Sequence, residues 1–155
     1  MPSPSGAPPA GYRVFEGPEG LTLELAGWTA LDALARFDPA HPARVTTFGA
    51  TRYGRLGWAT EADLPPIHTA GEALALILQE IGLMEIEVEL AGAGRLHAWE
   101  GGACRFHLPD RAAAVGVIRR VAPPAILGRL EHALRTRTGA RLELDAAGAL
   151  SGAGR

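Results

Sequence analysis

The sequence has 155 residues with a single cysteine, Cys104, and it has no lysine, since all fifteen basic residues are arginine. One cysteine excludes an intramolecular disulfide, and it excludes a metal site built only from thiolates of one chain. We therefore expect a reducing compartment and place the protein in the cytoplasm. The arginines accompany many glycines and prolines, which indicates GC-rich codons rather than a need for guanidinium groups.

Long apolar runs are also absent. No stretch approaches the roughly 18 residues needed to cross a bilayer, so we expect no membrane contact. The N-terminal sequence MPSPSGAPPAG has neither the positive nor the apolar region of a secretory signal. Its composition predicts a disordered tail over 1–11, and we expect a frayed tail over 148–155. Residues 12–147 then form one globular domain.

Charge is unevenly distributed along the chain, although the formal net charge is only −2. Residues 1–110 hold fourteen acids and seven arginines, whereas residues 111–155 hold three acids and eight arginines. Two interpretations of the basic C-terminal part remain open. It is the solvated face of a helix, or it is a patch for an acidic protein or a nucleic-acid backbone.

Alternation of apolar and polar residues predicts most of the strands. The clearest case is residues 84–90, where Glu85, Glu87 and Glu89 alternate with apolar residues. Such alternation gives a strand one dry and one wet face, as in an antiparallel sheet that is open on one side. The predicted strands are a hairpin over 12–25, a second hairpin over 44–58 that turns at 49–51, and single strands over 84–90, 95–100, 103–108 and 141–145.

Capping residues and a period of 3.6 residues predict the helices. Thr29 and Asp32 begin a short helix with an apolar face of Leu31, Leu34 and Ala35, which Asp38-Pro39 ends. Thr69 and Glu72 begin a second helix that ends at Gly82, and its apolar face is formed by Leu74, Ile77, Leu78 and Ile81. A final helical region opens at Pro109-Asp110 and is interrupted at Pro123-Pro124. We therefore expect an α+β fold, with a single antiparallel sheet and helices packed on one face.

No catalytic motif is evident in the sequence, which lacks the glycine-rich phosphate loops. His97 and His107 fall on neighbouring predicted strands with Cys104 close by. If the three converged they could bind zinc, and Cys104 with His107 could form a nucleophile pair. Their spacing matches no metal signature, and His97 is expected on the wet face. We therefore predict no catalytic residue, no metal and no cofactor.

One cluster has the residue types that bind single-stranded nucleic acid. Arg52, Tyr53, Arg55 and Trp58 combine aromatic rings, which stack on bases, with guanidinium groups, which hold the backbone. The simpler interpretation places Trp58 in the core and the other three residues at its rim. Trp28, Trp58 and Trp99 are all expected to be at least partly buried, and one of them could anchor an interface.

The order of elements from Leu31 to Leu134 resembles the Roadblock/dynein light chain family. The nearest local similarity lies in Glu72–Gly82, Ile86–Leu90 and Val115–Arg120. The short first helix, the additional hairpin over 12–25 and the break at Pro123-Pro124 depart from the family pattern. Residues 30–90 also resemble the PatA-like N-terminal domains of bacterial signalling proteins.

The Roadblock resemblance implies a Roadblock-like fold and a homodimer whose sheets join edge to edge into a platform. Such platforms bind Ras-like small GTPases and act by contact, without a catalytic residue of their own. We therefore expect a non-enzymatic regulatory or interaction module, with a small GTPase as its partner. The alternative is a single-stranded nucleic-acid-binding protein that uses Arg52, Tyr53, Arg55 and Trp58.

Overall fold

The computed structural model describes residues 7–52, 55–79, 83–99, 104–137 and 139–150, and of residues 51–52, 55–58 and 83–84 it describes the backbone alone. The predicted tails over 1–11 and 148–155 lie largely outside these residues. In the described part of the first tail, the Ala10 amide donates to the Ala26 carbonyl at 2.8 Å. In the second, the Gly148 amide donates to the Asp145 carbonyl at 2.9 Å.

Eight strands and four helices follow one another in the described chain. In order they are β1 (Gly11–Gly17), β2 (Gly20–Ala26), α1 (Ala30–Leu34), β3 (Ala43–Arg52), β4 (Arg55–Thr60), α2 (Ala70–Gln79), β5 (Leu83–Leu90), β6 (Gly94–Trp99), β7 (Cys104–Leu108), α3 (Arg111–Val121), α4 (Leu127–Thr136) and β8 (Arg141–Asp145). All strands join one antiparallel sheet in the order β4-β3-β5-β6-β7-β2-β1-β8. This confirms the α+β class and the single antiparallel sheet.

One hydrophobic core lies between the sheet and the helices. Alternate strand residues enter it, and Leu23, Ile86, Leu96 and Phe106 have no exposed surface. The four helices add their apolar stripes to the same cluster, with Leu130 of α4 also fully buried. The polar residues between the buried strand positions lie on the opposite side of the sheet, which no described helix covers. The sheet therefore has one dry face and one open face, as the glutamate alternation predicted.

The first hairpin and the helix starts form as the sequence indicates. β1 and β2 pair from Gly11↔Ala26 to Gly17↔Gly20, which confirms the predicted turn. At α1 the Asp32 amide donates to Thr29 Oγ1 at 3.4 Å, and the Thr29 amide donates to Asp32 Oδ2 at 2.8 Å. The helix is nevertheless shorter than expected. It ends at Leu34, and Ala35, assigned to the apolar stripe, is exposed.

The turn predicted at 49–51 is wrong. Strand β3 continues to Arg52, and Gly49 and Ala50 pair with Trp58 and Gly57 of β4. The register between β3 and β5 shifts between Gly49 and Ala50 instead. Gly49 therefore lies within a strand, next to a bulge, and not at a reversal of the chain.

The apolar face predicted for α2 is rotated in the structure. The predicted capping box forms in part, because the Glu72 amide donates to Thr69 Oγ1, while Glu72 Oε1 accepts at 2.9 Å from the amide of His68, one residue before the N-cap. The buried residues of the helix are Ala70, Ala73, Leu76 and Ile77, whereas Leu74 and Leu78 are half-buried. Small alanines allow the helix to lie close to the sheet. They therefore occupy the contact between α2 and the sheet in place of larger residues. Ile81 and Gly82 lie outside the described residues.

The final helical region forms two helices, α3 and α4, which a short 3-10 turn at Pro124–Ile126 separates. Asp110 caps α3 by accepting from the Ala113 amide at 2.9 Å. Arg111 joins the two helices, because its guanidinium donates to the carbonyls of Leu134 and Arg137 at 2.8 Å.

The predicted edge strand over 141–145 is confirmed as β8, which pairs with β1. Gly101 and Gly102, between the strands predicted over 95–100 and 103–108, lie outside the described residues.

Candidate functional site

The open face of the sheet brings charged residues from five strands into one row. Register partners run from Arg13 on β1 to Glu24 on β2, then to Arg105 on β7, His97 on β6 and Glu87 on β5. Neighbouring strands lie about 4.8 Å apart, so side chains on one face of the row are in contact range. The row alternates in charge over most of its length, and we call this surface the open face.

Glu24 is the most buried charged group of this face, at 4% exposure. Its carboxylate accepts from Arg13 Nη1 at 3.0 Å and from Arg105 Nε at 2.8 Å. Arg13 also reaches Glu143 on β8 at 3.2 Å. A buried carboxylate needs such partners because desolvation otherwise disfavours its charged form. Glu24 therefore holds β1, β2 and β7 in register.

The three glutamates of β5 lie on the open face, as the sequence predicted, and each has a partner. Glu85 Oε2 lies 2.6 Å from His97 Nε2, and Glu89 lies 3.4 Å from Arg44 Nη1. Glu87 contacts Arg95 at 3.4 Å and accepts from Thr47 Oγ1 at 3.0 Å. Glu87 and Glu89 thus lie beside arginines, and Glu85 lies beside an imidazole.

Aromatic and cationic groups form a second cluster at the middle of the open face. The Trp99 ring lies 4.9 Å from the His97 ring, centroid to centroid, and the Arg105 guanidinium lies 5.0 Å above Trp99. The His107 ring lies 6.1 Å from that of His97. Trp99 is half-buried and Trp28 is buried, as expected for both, while the side chain of Trp58 lies outside the described residues.

His107 has the most perturbed imidazole of the face. Partial burial lowers its pKa below the usual 6.5, and the charges of Arg95, His97 and Arg105 act in the same direction. Its Nδ1 lies 3.3 Å from Thr22 Oγ1. Neutral imidazole is therefore the favoured form, because another positive charge would face two arginines.

Cys104 does not join the histidines, so the zinc and nucleophile alternatives are wrong. It is fully buried on the dry face, three residues from His107, and strand periodicity places the two side chains on opposite faces. Burial raises the pKa of the Cys104 thiol to about 12, and the charge of Asp32 adds to this effect. The described residues contain no cluster of three or more metal-ligating side chains.

A groove of about 1260 Å³ runs along the end of the sheet next to the open face. The β1–β2 turn and the β5–β6 turn form its two sides. Phe15, Arg95 and His107 line it together with Glu19 and Glu89. The lining mixes both signs of charge with apolar surface.

The two edges of the sheet differ. At β8 the chain returns, so that Leu144 forms a bridge with Leu150 and the Asp145 amide donates to the Ala149 carbonyl at 2.8 Å. At the other edge, β4 pairs with β3 alone among the described residues. No strand of the described residues therefore pairs with the outer backbone groups of β4.

Three of the four residues predicted to contact nucleic acid, Arg52, Arg55 and Trp58, lie on β3 and β4. Arg52 and Arg55 are register partners at its tip, and Trp58 pairs with Gly49. Tyr53 lies outside the described residues, as do the side chains of the other three. The backbone therefore brings Arg52 and Arg55 together, and the proposed stacking stays a prediction.

Sequence reasoning missed the cluster of Arg13, Glu24 and Arg105. Glu24 between Leu23 and Leu25 signals a wet face, but alternation does not say which strands become neighbours.

Comparison of the chain with protein-family models, with curated proteins and with solved structures finds no match. In the described part of the chain, the helices are all too short or too polar to span a bilayer.

Proposed function

We propose that this protein is a non-enzymatic interaction module that acts as a homodimeric platform. The free outer edge of β4 carries the proposal, because β4 pairs only with β3 in the described chain. Two copies that pair β4 with β4 across a two-fold axis would form one continuous antiparallel sheet. The open faces of both copies would then lie on the same side of the dimer.

The state of the other edge supports this choice. β8 is bridged by residues that return along it, so the chain itself occupies part of that edge. The charged groups of the open face are paired with one another, an arrangement suited to broad contact with a protein surface. The Roadblock-like order of elements suggests a Ras-like small GTPase as the partner.

Proline substitution in β4 tests the dimer. Successive amides of a strand point to opposite edges, so one of Trp58→Pro and Ala59→Pro removes an outward amide and spares the pairing with β3. Light scattering should give the parent chain twice its mass of 16.2 kDa. The proline variant that keeps its circular dichroism and melting transition should be monomeric.

Ala146→Pro is the matched control. Ala146 is the second residue of the turn that the Gly148 amide closes on the Asp145 carbonyl at 2.9 Å, a position that accepts proline. This variant should remain a dimer. A parent chain that is monomeric at all accessible concentrations would overturn the proposal, as would a folded dimer in both β4 variants.

The partner class needs a separate measurement. Small GTPases of the source organism, loaded with GDP or with a nonhydrolysable GTP analogue, are titrated against the labelled protein. We expect saturable binding that depends on the nucleotide and that weakens in the monomeric β4 variant. Dimerisation without binding to any loaded GTPase would reject the GTPase and leave the platform intact.

A further inference from the structure

The outer surface of α3 and α4 has a charge pattern unlike that of the open face. The two helices contain five arginines and one acid, Glu131. Arg111 is used within the fold, where it binds Glu16 and backbone carbonyls. The other four form what we call the arginine patch: Arg119, Arg120, Arg129 and Arg135.

Glu131 cannot neutralise this patch. Its carboxylate lies 2.8 Å from Arg119 Nε and 3.9 Å from Arg135 Nη2, so two cations share one anion. The hydrogen bond from Arg119 lowers the pKa of Glu131, which therefore stays ionised near neutral pH. Four arginines and one glutamate leave a net charge of +3.

The remaining two arginines have neutral partners in the described structure. Arg129 donates to the Ala147 carbonyl at 3.1 Å, and the Arg120 guanidinium lies 4.8 Å above the Phe37 ring. Both contacts orient a guanidinium and leave its charge uncompensated. The side chains of Arg119 and Arg135 are 62% and 67% exposed, so the patch is open to a ligand.

The composition of the surface around the patch favours one kind of occupant. Apart from the arginines, the exposed residues of α3 and α4 are Ala112, Gly116, Gly128, His132 and Thr136, and the apolar Val115 and Leu127 are half-buried. Among the described residues, Leu150 is the one large apolar side chain that is well exposed, and it lies beside β8. Protein interfaces need apolar anchors and membrane-surface helices need an apolar face, whereas a phosphate backbone needs mainly cations.

We propose that the arginine patch binds the phosphate backbone of duplex nucleic acid without reading its base sequence. The guanidinium groups contact phosphate oxygens, and the small residues of α3 and α4 let the backbone approach the helices. The arginine patch lies on the opposite side of the sheet from the open face. It does not depend on the dimer proposed above.

Fluorescence anisotropy with labelled duplex DNA at several salt concentrations tests the proposal. The parent chain should bind with an affinity that falls steeply as salt rises from about 50 to 200 mM. Arg129→Gln with Arg135→Gln should reduce the slope of log K against log salt by about 2. Arg95→Gln with Arg141→Gln, on the open face, removes the same charge and should leave the slope unchanged.

Three results would overturn the proposal. The first is absence of salt-dependent binding by the parent chain. The second is an equal loss in the two double variants, which would indicate an effect of net charge alone. The third is binding to vesicles containing phosphatidylserine or to polyglutamate with no binding to duplex DNA, since this would assign the patch to a membrane or to an acidic protein.

Discussion

The open face and the arginine patch use the same residue type in different ways. On the open face Arg13 and Arg105 enclose the buried carboxylate of Glu24 at 3.0 and 2.8 Å. On the helices Arg119 and Arg135 both contact Glu131, whereas Arg120 and Arg129 contact the Phe37 ring and the Ala147 carbonyl and pair with no carboxylate of the described residues. The first arrangement fixes strand register, and the second leaves positive charge at the surface. The difference shows that an arginine's role depends on the acids that the fold brings to it.

The largest effect should follow loss of the central acid of the open face. Glu24→Gln leaves Arg13 and Arg105 facing each other without the charge between them. We expect the free energy of unfolding to fall by about 2–3 kcal/mol. Urea denaturation at neutral pH measures this. An unchanged midpoint would show that the register of β1, β2 and β7 does not depend on Glu24.

Arg111 belongs to the basic helices by sequence, but it resembles the arginines of the open face because its contacts are within the fold. Its guanidinium donates to the carbonyls at the end of α4 and binds Glu16 Oε1 at 2.6 Å. Arg111→Gln should lower the free energy of unfolding by about 1–2 kcal/mol and leave the salt dependence of DNA binding intact. A loss of DNA affinity with unchanged stability would instead place Arg111 in the arginine patch.

Glu131→Gln is the counterpart of Glu24→Gln on the helices. It should destabilise the protein less than Glu24→Gln does, because Arg119 and Arg135 are well exposed and solvent screens their charges. It should also strengthen binding to duplex DNA, since the patch gains one net positive charge. Parallel denaturation and anisotropy titrations check both statements, and weaker DNA binding would contradict the second.

His107 gives the smallest effect, which is visible through pH. Its pKa in the folded state lies below 6.5, so the unfolded chain takes up a proton first as pH falls. The free energy of unfolding should therefore decrease between about pH 6.5 and the folded pKa. His107→Gln should flatten this part of the stability profile, and His132→Gln on α4 is the matched control for the loss of a histidine. Identical profiles for parent and His107→Gln would contradict the account.

Local sequence patterns predict the helices and strands, but they do not predict which strands become neighbours in the sheet. The alternation around Glu85 and Glu87 and the capping box at Thr69 depend on adjacent residues, so the sequence predicts them. The contact of Arg105 with Glu24 joins residues that are 81 positions apart in the chain, and it follows from the strand order. Neither periodicity nor capping specifies that β2 lies between β1 and β7.

The errors have a related cause. Glycine often reverses a chain, so the sequence predicts a turn at Gly49, whereas pairing with strands on both sides places Gly49 next to a bulge. The spacing of the large apolar residues predicts the apolar face of α2, yet Ala70 and Ala73 are buried in the core while Leu74 and Leu78 are half-buried. Cys104 and His107 are three residues apart on one strand, so their side chains point to opposite faces of the sheet. Strand periodicity alone therefore excludes the proposed pair.

Amide hydrogen exchange at low and high protein concentration tests most directly whether β4 is an interface. We expect the amides within Arg55–Thr60 to gain protection as the protein concentration rises, while those of Arg141–Asp145 exchange at a constant rate. Protection of β4 that stays the same across the whole concentration range would contradict it, and so would a concentration-dependent gain at β8 alone.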